Sequence, residues 1–126
     1  MQQSPALVMF ERVKEESFHY YDRLARVRIF VEEKGNEPIT LTEAAHVAAM
    51  ETTYFSTFFK ERVGISFTDW LRRVRIAKAM EIMREKDCRI CDVAFAVGFG
   101  DVGTFSRAFK RYANQTPQDF KRSSRP

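Results

Sequence analysis

The chain has 126 residues, 44% hydrophobic and 30% charged, with twelve Phe, four Tyr and one Trp; that is one domain or two small subdomains, with too much apolar surface to stay disordered. Only five Gly and four Pro, with few alternating β-branched stretches, argue against a many-turned all-β fold. The formal net charge of +4 combines −3 over residues 1–59 with +7 over residues 60–126, a split that points to a polyanionic partner, nucleic acid before membrane.

In chain order, Ser4-Pro5 is a candidate helix start, with Pro at the first helical position. From Phe18 to Lys34 the apolar residues Phe18, Tyr21, Leu24, Ala25, Ile29 and Val31 follow one helical face, and Gly35-Asn36-Glu37-Pro38 stops that helix. Thr40-Leu41-Thr42-Glu43 fits a capping box and opens a short helix to about Ala48. Ala49-Met50-Glu51 reads as a tight turn. The next helix, Thr52 to Val63, is expected to bury Phe55, Phe58, Phe59 and Tyr54, and Gly64 ends it. Ser66-Phe67-Thr68-Asp69 reads as a second capping box, opening the longest helix, Phe67 to Arg84. Phe67, Trp70, Leu71, Val74, Ala77 and Met80 are expected along one side of it. A short helix from Ile90 to Val97 follows, then the turn Gly98-Phe99-Gly100. Asp101 caps a helix to about Tyr112, and Thr116-Pro117-Gln118-Asp119 starts the last one. The expected fold is all-α, with about seven helices.

The chain also repeats itself. At an offset of 50, Phe55-Ser56 meets Phe105-Ser106, Phe59-Lys60 meets Phe109-Lys110, Gly64 meets Asn114, Asp69 meets Asp119, and Trp70 meets Phe120. Upstream the offset is 49, where Ala44-Ala45 meets Val93-Ala94 and Ala49-Met50 meets Gly98-Phe99; Gly100 is the inserted residue. The repeated unit is short helix, tight turn, longer helix, cap, which is a helix-turn-helix. A joining helix of about twenty residues spans roughly 30 Å, close to the ~34 Å of one DNA turn. One chain could thereby address successive major grooves as a monomer. The expected organisation is an N-terminal extension (1–25), a first helix-turn-helix subdomain (26–65), a linker helix (66–86) and a second subdomain (87–126).

Five strings carry a resemblance over about a hundred residues: Phe55-Ser56-Thr57-Phe58-Phe59-Lys60-Glu61 with Gly64; Trp70-Leu71-Arg72-Arg73-Val74-Arg75-Ile76-Ala77-Lys78-Ala79; Val93-Ala94 with Val97-Gly98-Phe99; Phe105-Ser106-Arg107-Ala108-Phe109-Lys110; and Thr116-Pro117 with Phe120-Lys121. With these, residues Arg26 to Arg122 resemble the DNA-binding domain of the AraC/XylS family of bacterial transcription regulators. The resemblance implies two helix-turn-helix subdomains bridged by a long helix. It implies binding to an asymmetric site in double-stranded promoter DNA and activation through RNA polymerase. The chain departs from the family pattern at Ala49 and Asn114, which replace glycines, and at Arg89, where a Ser or Thr cap is expected.

Periodicity identifies the wet face of each reading helix. With Phe55, Phe58, Phe59 and Val63 inward, Thr52, Thr53, Ser56, Thr57 and Lys60 point outward. With Phe105, Ala108, Phe109 and Tyr112 inward, Val102, Gly103, Thr104, Ser106, Arg107, Lys110 and Arg111 point outward. The family's base-contacting positions carry over by resemblance onto Thr53, Ser56 and Thr57, and onto Val102, Gly103, Thr104, Ser106 and Arg107. Arg107 is the leading candidate, because an arginine bonds both acceptors of a guanine edge. Gly103 offers only its backbone. The first reading helix offers only Ser and Thr, so methyl contacts and DNA shape would carry its readout. Lys60, Lys110 and Arg111 are expected on phosphates, as are the backbone N–H groups of the helix starts near Thr40 and Ile90. Arg72, in the run Arg72-Arg73-Val74-Arg75, is open as a backbone contact, an internal ion pair or a solvated charge.

Other features have plainer readings. Cys88-Arg89-Ile90-Cys91 lacks the strand–helix setting of a redox motif, and a zinc site would find only His19 and His46 beyond it. Neither metal nor cofactor is expected. No nucleophile–base–acid set, phosphate loop or carboxylate pair suggests an enzyme. No signal peptide or membrane-spanning run is visible, so a cytoplasmic, nucleoid-associated chain is expected. Residues 1–25 are open as a dimer helix, a linker or a partner contact. An alternative is an interaction protein of the same fold that has lost specific readout and contacts another regulator or the polymerase.

Overall fold

The computed structural model describes residues 13–124, which form eight helices and, among the described residues, no strand. They are α1 (Ser17–Tyr20), α2 (Asp22–Lys34), α3 (Leu41–Val47), α4 (Thr52–Val63), α5 (Phe67–Glu85), α6 (Ile90–Ala96), α7 (Val102–Ala113) and α8 (Pro117–Ser123). The helix start expected at Ser4-Pro5, with about half of the 1–25 extension, lies outside the described residues. The chain divides into two compact units within α5, between Leu71 and Arg72.

The first unit is built on an aromatic core. Phe18, Phe55, Phe59, Phe67 and Trp70 are buried, and their rings meet at centroid distances of 5.1 Å for Phe18–Trp70, 5.4 Å for Phe59–Phe67 and 5.6 Å for Phe59–Trp70. Each such pair contributes about 0.5–1.5 kcal/mol beyond simple area burial. The single helix expected over 18–34 is in fact two. Tyr21 is extended (φ −111°, ψ 113°) and separates α1 from α2. This break resets the helical phase: α2 buries Leu24, Val27 and Val31, while Ile29, expected inward, is 52% exposed. The Ser17 hydroxyl donates to the Arg62 carbonyl, and Lys14 N–H to the Val63 carbonyl at 2.8 Å, tying the segment before α2 to the end of α4. Tyr54, expected inward, is 61% exposed, and Phe58 is half-buried.

The second unit repeats the plan with Phe105, Phe109 and Phe120, whose rings stand 5.6 Å and 5.5 Å apart in turn. They pack with Ile76, Ala79, Met80, Met83, Val93, Val97 and Phe99. The stripe expected along the long helix holds at Phe67, Trp70 and Leu71 and again at Met80, but Val74 and Ala77 are only half-buried. The second unit instead buries Ile76, Ala79 and Met83. One straight stripe fails because the two ends of this helix serve different cores.

The two interhelical turns have the same bonds. In the first, Ala49 N–H donates to the His46 carbonyl and Met50 N–H to the Ala45 carbonyl, both at 2.9 Å. In the second, Gly98 N–H donates to the Phe95 carbonyl at 3.1 Å and Phe99 N–H to the Ala94 carbonyl at 3.0 Å. Each turn needs one left-handed residue, which is Ala49 (φ 58°) and Gly98 (φ 101°). Asn114 (φ 60°) closes α7 as Gly64 (φ 106°) closes α4.

The starts of α3, α4, α5, α7 and α8 are capped by side chains. Thr40 and Glu43 form the expected capping box, and Asp69 N–H donates to Ser66 Oγ at 3.1 Å. Thr116 caps α8, accepting from Asp119 N–H at 3.1 Å. Glu51 and Asp101 cap α4 and α7 by accepting from Tyr54 N–H at 3.0 Å and Thr104 N–H at 2.7 Å.

An alanine held left-handed costs about 1 kcal/mol that glycine does not. Ala49→Gly should therefore raise stability by about that amount, read as a higher urea midpoint; an unchanged midpoint would show the turn to be relaxed. Gly98→Ala should act oppositely, since an added Cβ would stand 2.8 Å from Arg75 Cζ. Backbone N–H groups also hold Glu43, Glu51 and Asp101 below the usual carboxylate range, through Thr40, Tyr54 and Thr104 respectively. A lowered folded-state pKa contributes stability that is present above the unfolded value and lost as pH falls through the folded one. Thermal midpoints should therefore be flat from pH 7 to about 5 and fall below about 4. A midpoint independent of pH down to about 3 would show that these caps add no such stability.

Candidate nucleic-acid interface

In each unit, burial of one face of the longer helix dictates what the other face shows. On α4, Phe55, Phe59 and Val63 are inward; Thr53, Thr57 and Lys60 are exposed, and Thr52 and Ser56 half-buried. On α7, Phe105, Ala108, Phe109, Tyr112 and Ala113 are inward; Gly103, Arg107, Lys110 and Arg111 are exposed, and Val102, Thr104 and Ser106 half-buried. The structure thus gathers Thr53, Ser56, Thr57 and Lys60 on one helix face, and Val102, Gly103, Thr104, Ser106, Arg107, Lys110 and Arg111 on another.

The α7 face continues into an open groove of about 490 Å³, lined by Ser106, Arg107, Lys110 and Arg111 and by Thr116, Pro117 and Gln118 at the head of α8. Three cations on this wall suit an anionic backbone. Arg107 is held to its own helix, where Nη2 donates to Thr104 Oγ1 at 3.3 Å. The Arg111 guanidinium lies 5.6 Å from the Tyr112 ring centroid, which restrains its stem.

At Thr40 the capping box uses two of the donors that were expected on phosphate: Thr40 N–H goes to Glu43 Oε1 at 2.9 Å, and Glu43 N–H to Thr40 Oγ1 at 3.0 Å. At Ile90 the preceding Arg89 makes no side-chain cap bond, and its Nε reaches Asp92 Oδ2 at 3.3 Å. The basic run on α5 separates by burial. Arg72 is exposed, Arg73 is 7% exposed, and half-buried Arg75 donates from Nη1 to the Gly98 carbonyl at 3.4 Å. Burial lowers the Arg75 pKa from its ordinary value. Arg75 therefore supports the second turn, and Arg72 is the member of the run that faces solvent.

Two features escape the sequence reading. Glu51 is the cap of α4, and a signal for it exists, because at an offset of 50 it meets Asp101. The second is an aromatic surface on the first unit. Tyr20 is 79% exposed, Tyr21 meets Phe58 at 5.6 Å, Tyr54 stacks on Phe58 at 6.2 Å, and Arg62 lies over Tyr21 and Phe58. His19 and His46 are exposed, and Cys88 and Cys91 are half-buried free thiols. Among the described residues no cluster of three His, Cys, Asp or Glu could hold a metal ion, and no helix is long and apolar enough to cross a membrane.

Comparison with known proteins agrees with this fold. A family model described as a helix-turn-helix domain matches residues 44–123. The transcriptional regulatory protein YesN of Bacillus subtilis (strain 168) is 34% identical over 99 residues, covering 76% of this chain and 27% of that protein. The chain thus spans about a quarter of this relative's length. A transcriptional regulator with an AraC-type DNA-binding domain from Chromobacterium violaceum shares the fold with a TM-score of 0.78, at 18% identity over 84% of this chain and 95% of that one. So does the DNA-binding domain of the global transcriptional factor AdpA, solved with a target DNA, with a TM-score of 0.75 at 23% identity over 80% of this chain and 91% of that one. The chain belongs to the AraC-type helix-turn-helix family of DNA-binding transcription regulators.

Proposed function

We propose that the chain is a sequence-specific activator that inserts α4 and α7 into successive major grooves of an asymmetric promoter site. The observation that carries this reading is the pair of exposed polar faces on equivalent helices, each opposite a buried phenylalanine pair. The two faces differ in chemistry, so the two half-sites differ in sequence. On α7, Arg107 takes both acceptors of a guanine edge, worth about 1–3 kcal/mol of discrimination. Val102, Thr104 and Ser106 complete that surface, and Gly103 lets the backbone come close. On α4, Thr53, Ser56 and Thr57 present hydroxyls and methyls to base edges, thymine methyls among them. Lys60, Arg72, Lys110 and Arg111 hold phosphates, with two helix starts as backbone donors: the one at Ile90, and the one after Thr40, where the capping box leaves the Leu41 and Thr42 N–H groups. Because both readers lie in one chain, it binds as a monomer. Bound at a promoter, it activates by contacting RNA polymerase.

A second reading, an interaction protein without specific readout, is favoured by the aromatic surface of exposed Tyr20 and Tyr54 with half-buried Tyr21 and Phe58, beside Arg23 and Arg26. Selection from a random duplex pool at two salt concentrations separates the two. The activator reading predicts an asymmetric motif of two blocks about one helical turn apart. Arg107→Ala should erase preference at one position. Lys110→Ala should weaken all sequences alike and reduce the salt slope by about 1. Binding that shows no sequence preference and disappears at moderate salt would favour the interaction protein.

A further inference from the structure

Asp101 precedes the α7 reading helix, and its carboxylate accepts twice from one residue. Thr104 N–H donates to Oδ1 at 2.7 Å, and the Thr104 hydroxyl donates to Oδ2 at 3.0 Å. A threonine hydroxyl has one proton. With that proton committed to Asp101, the oxygen of Thr104 is left as an acceptor, and Arg107 Nη2 donates to it at 3.3 Å. The three side chains form a directed chain, from Arg107 to Thr104 to Asp101, in which each donor has a defined acceptor. Gly103 leaves room for it, since a Cβ there would stand 3.3 Å from Asp101 Oδ1 and 3.5 Å from Arg107 Nη1.

We propose that Asp101 is a specificity-determining positioning residue, which acts through the Thr104 hydroxyl to hold the Arg107 guanidinium in one orientation before DNA arrives. This rests on the reading of Arg107 as a base contact. An arginine has five N–H donors; one is used on Thr104, and the others remain for a base edge. Preorganisation matters because a free arginine gives up rotamer freedom when it binds. Helix capping alone does not account for the carboxylate, since serine or asparagine caps equally well without bringing a negative charge towards phosphates. What the carboxylate adds is a second oxygen that turns the Thr104 hydroxyl. The Thr104 N–H and hydroxyl, with the nearby charge of Arg107, hold Asp101 below the ordinary aspartate range, so it is ionised at neutral pH. The first unit supplies an internal contrast. Glu51 caps α4 in the same way and also takes a hydrogen bond from the Thr53 hydroxyl, but Tyr54 and Thr57 stand where Thr104 and Arg107 stand in α7, so no relay to an arginine forms.

The test is base preference, read by selection and sequencing of bound duplexes, for the unaltered chain and for Arg107→Ala, Asp101→Asn, Thr104→Val, Thr104→Ser and Glu51→Gln. Helix content and thermal midpoint are measured for each. Asp101→Asn keeps a capping side chain. It should lower preference at the position that Arg107→Ala flattens by about tenfold, within the range one bidentate arginine supplies. Thr104→Val should do the same, and Thr104→Ser should restore the preference. Glu51→Gln, which removes a charge but no relay to an arginine, should strengthen binding to all sequences while leaving the base ratios at the Arg107 position alone. If Asp101→Asn behaves like Glu51→Gln, Asp101 is only a cap and a repulsive charge, and the proposal is overturned. If Arg107→Ala changes no position, the base-contact reading falls and takes the proposal with it.

Discussion

Two phenylalanines one helical turn apart anchor the longer helix of each unit, Phe55 with Phe59 in α4 and Phe105 with Phe109 in α7, and all four are fully buried. Burying one such ring contributes about 1.5–3 kcal/mol, and no alternative rotation of the helix buries both. The orientation of each helix about its axis is thereby set. Residues on the far side, Thr53 and Thr57 on one helix and Arg107 and Lys110 on the other, have no core to enter and face solvent. The exposed polar face is a consequence of the core.

The turns and caps then fix where each helix begins. The interhelical turns close with the same pair of backbone bonds at Ala49 and at Gly98, and the carboxylates of Glu51 and Asp101 take up N–H groups in the first turns of α4 and α7. A helix start satisfied within the chain resists fraying, which keeps the first two turns, where the exposed polar side chains stand, in fixed positions. The units diverge in what they build on that start. α7 adds the Thr104–Arg107 bond and a cationic groove, whereas α4 presents hydroxyls and methyls above an aromatic surface.

Much of this is legible in the residues. The offset of 50 between Phe55-Ser56 and Phe105-Ser106 marks the duplication, and helical spacing separates wet from dry faces on both α4 and α7. Asn114 is legible as a left-handed closure because it falls where Gly64 does. Three features are not. The extended Tyr21 breaks a segment whose apolar spacing looks continuous, and the reason lies in tertiary bonds from Ser17 and Lys14 to the end of α4. Tyr54 looks like a core aromatic by type, yet it points out because Phe55 and Phe59 already occupy the inward face. Arg73 and Arg75 look like a basic run, yet they separate from Arg72 by burial.

Periodicity, caps and repetition are local signals that a linear chain displays. For that reason the residues alone dictate the all-helical class, the two helix-turn-helix units and the exposed polar face of the longer helix in each. Packing chose the rest: which face of α5 each unit buries, where the N-terminal helix breaks, and the link that Thr104 makes between Asp101 and Arg107. Those features depend on atoms brought together from separate turns and helices. Hydrogen-bond direction and side-chain burial exist only once the neighbours are in place.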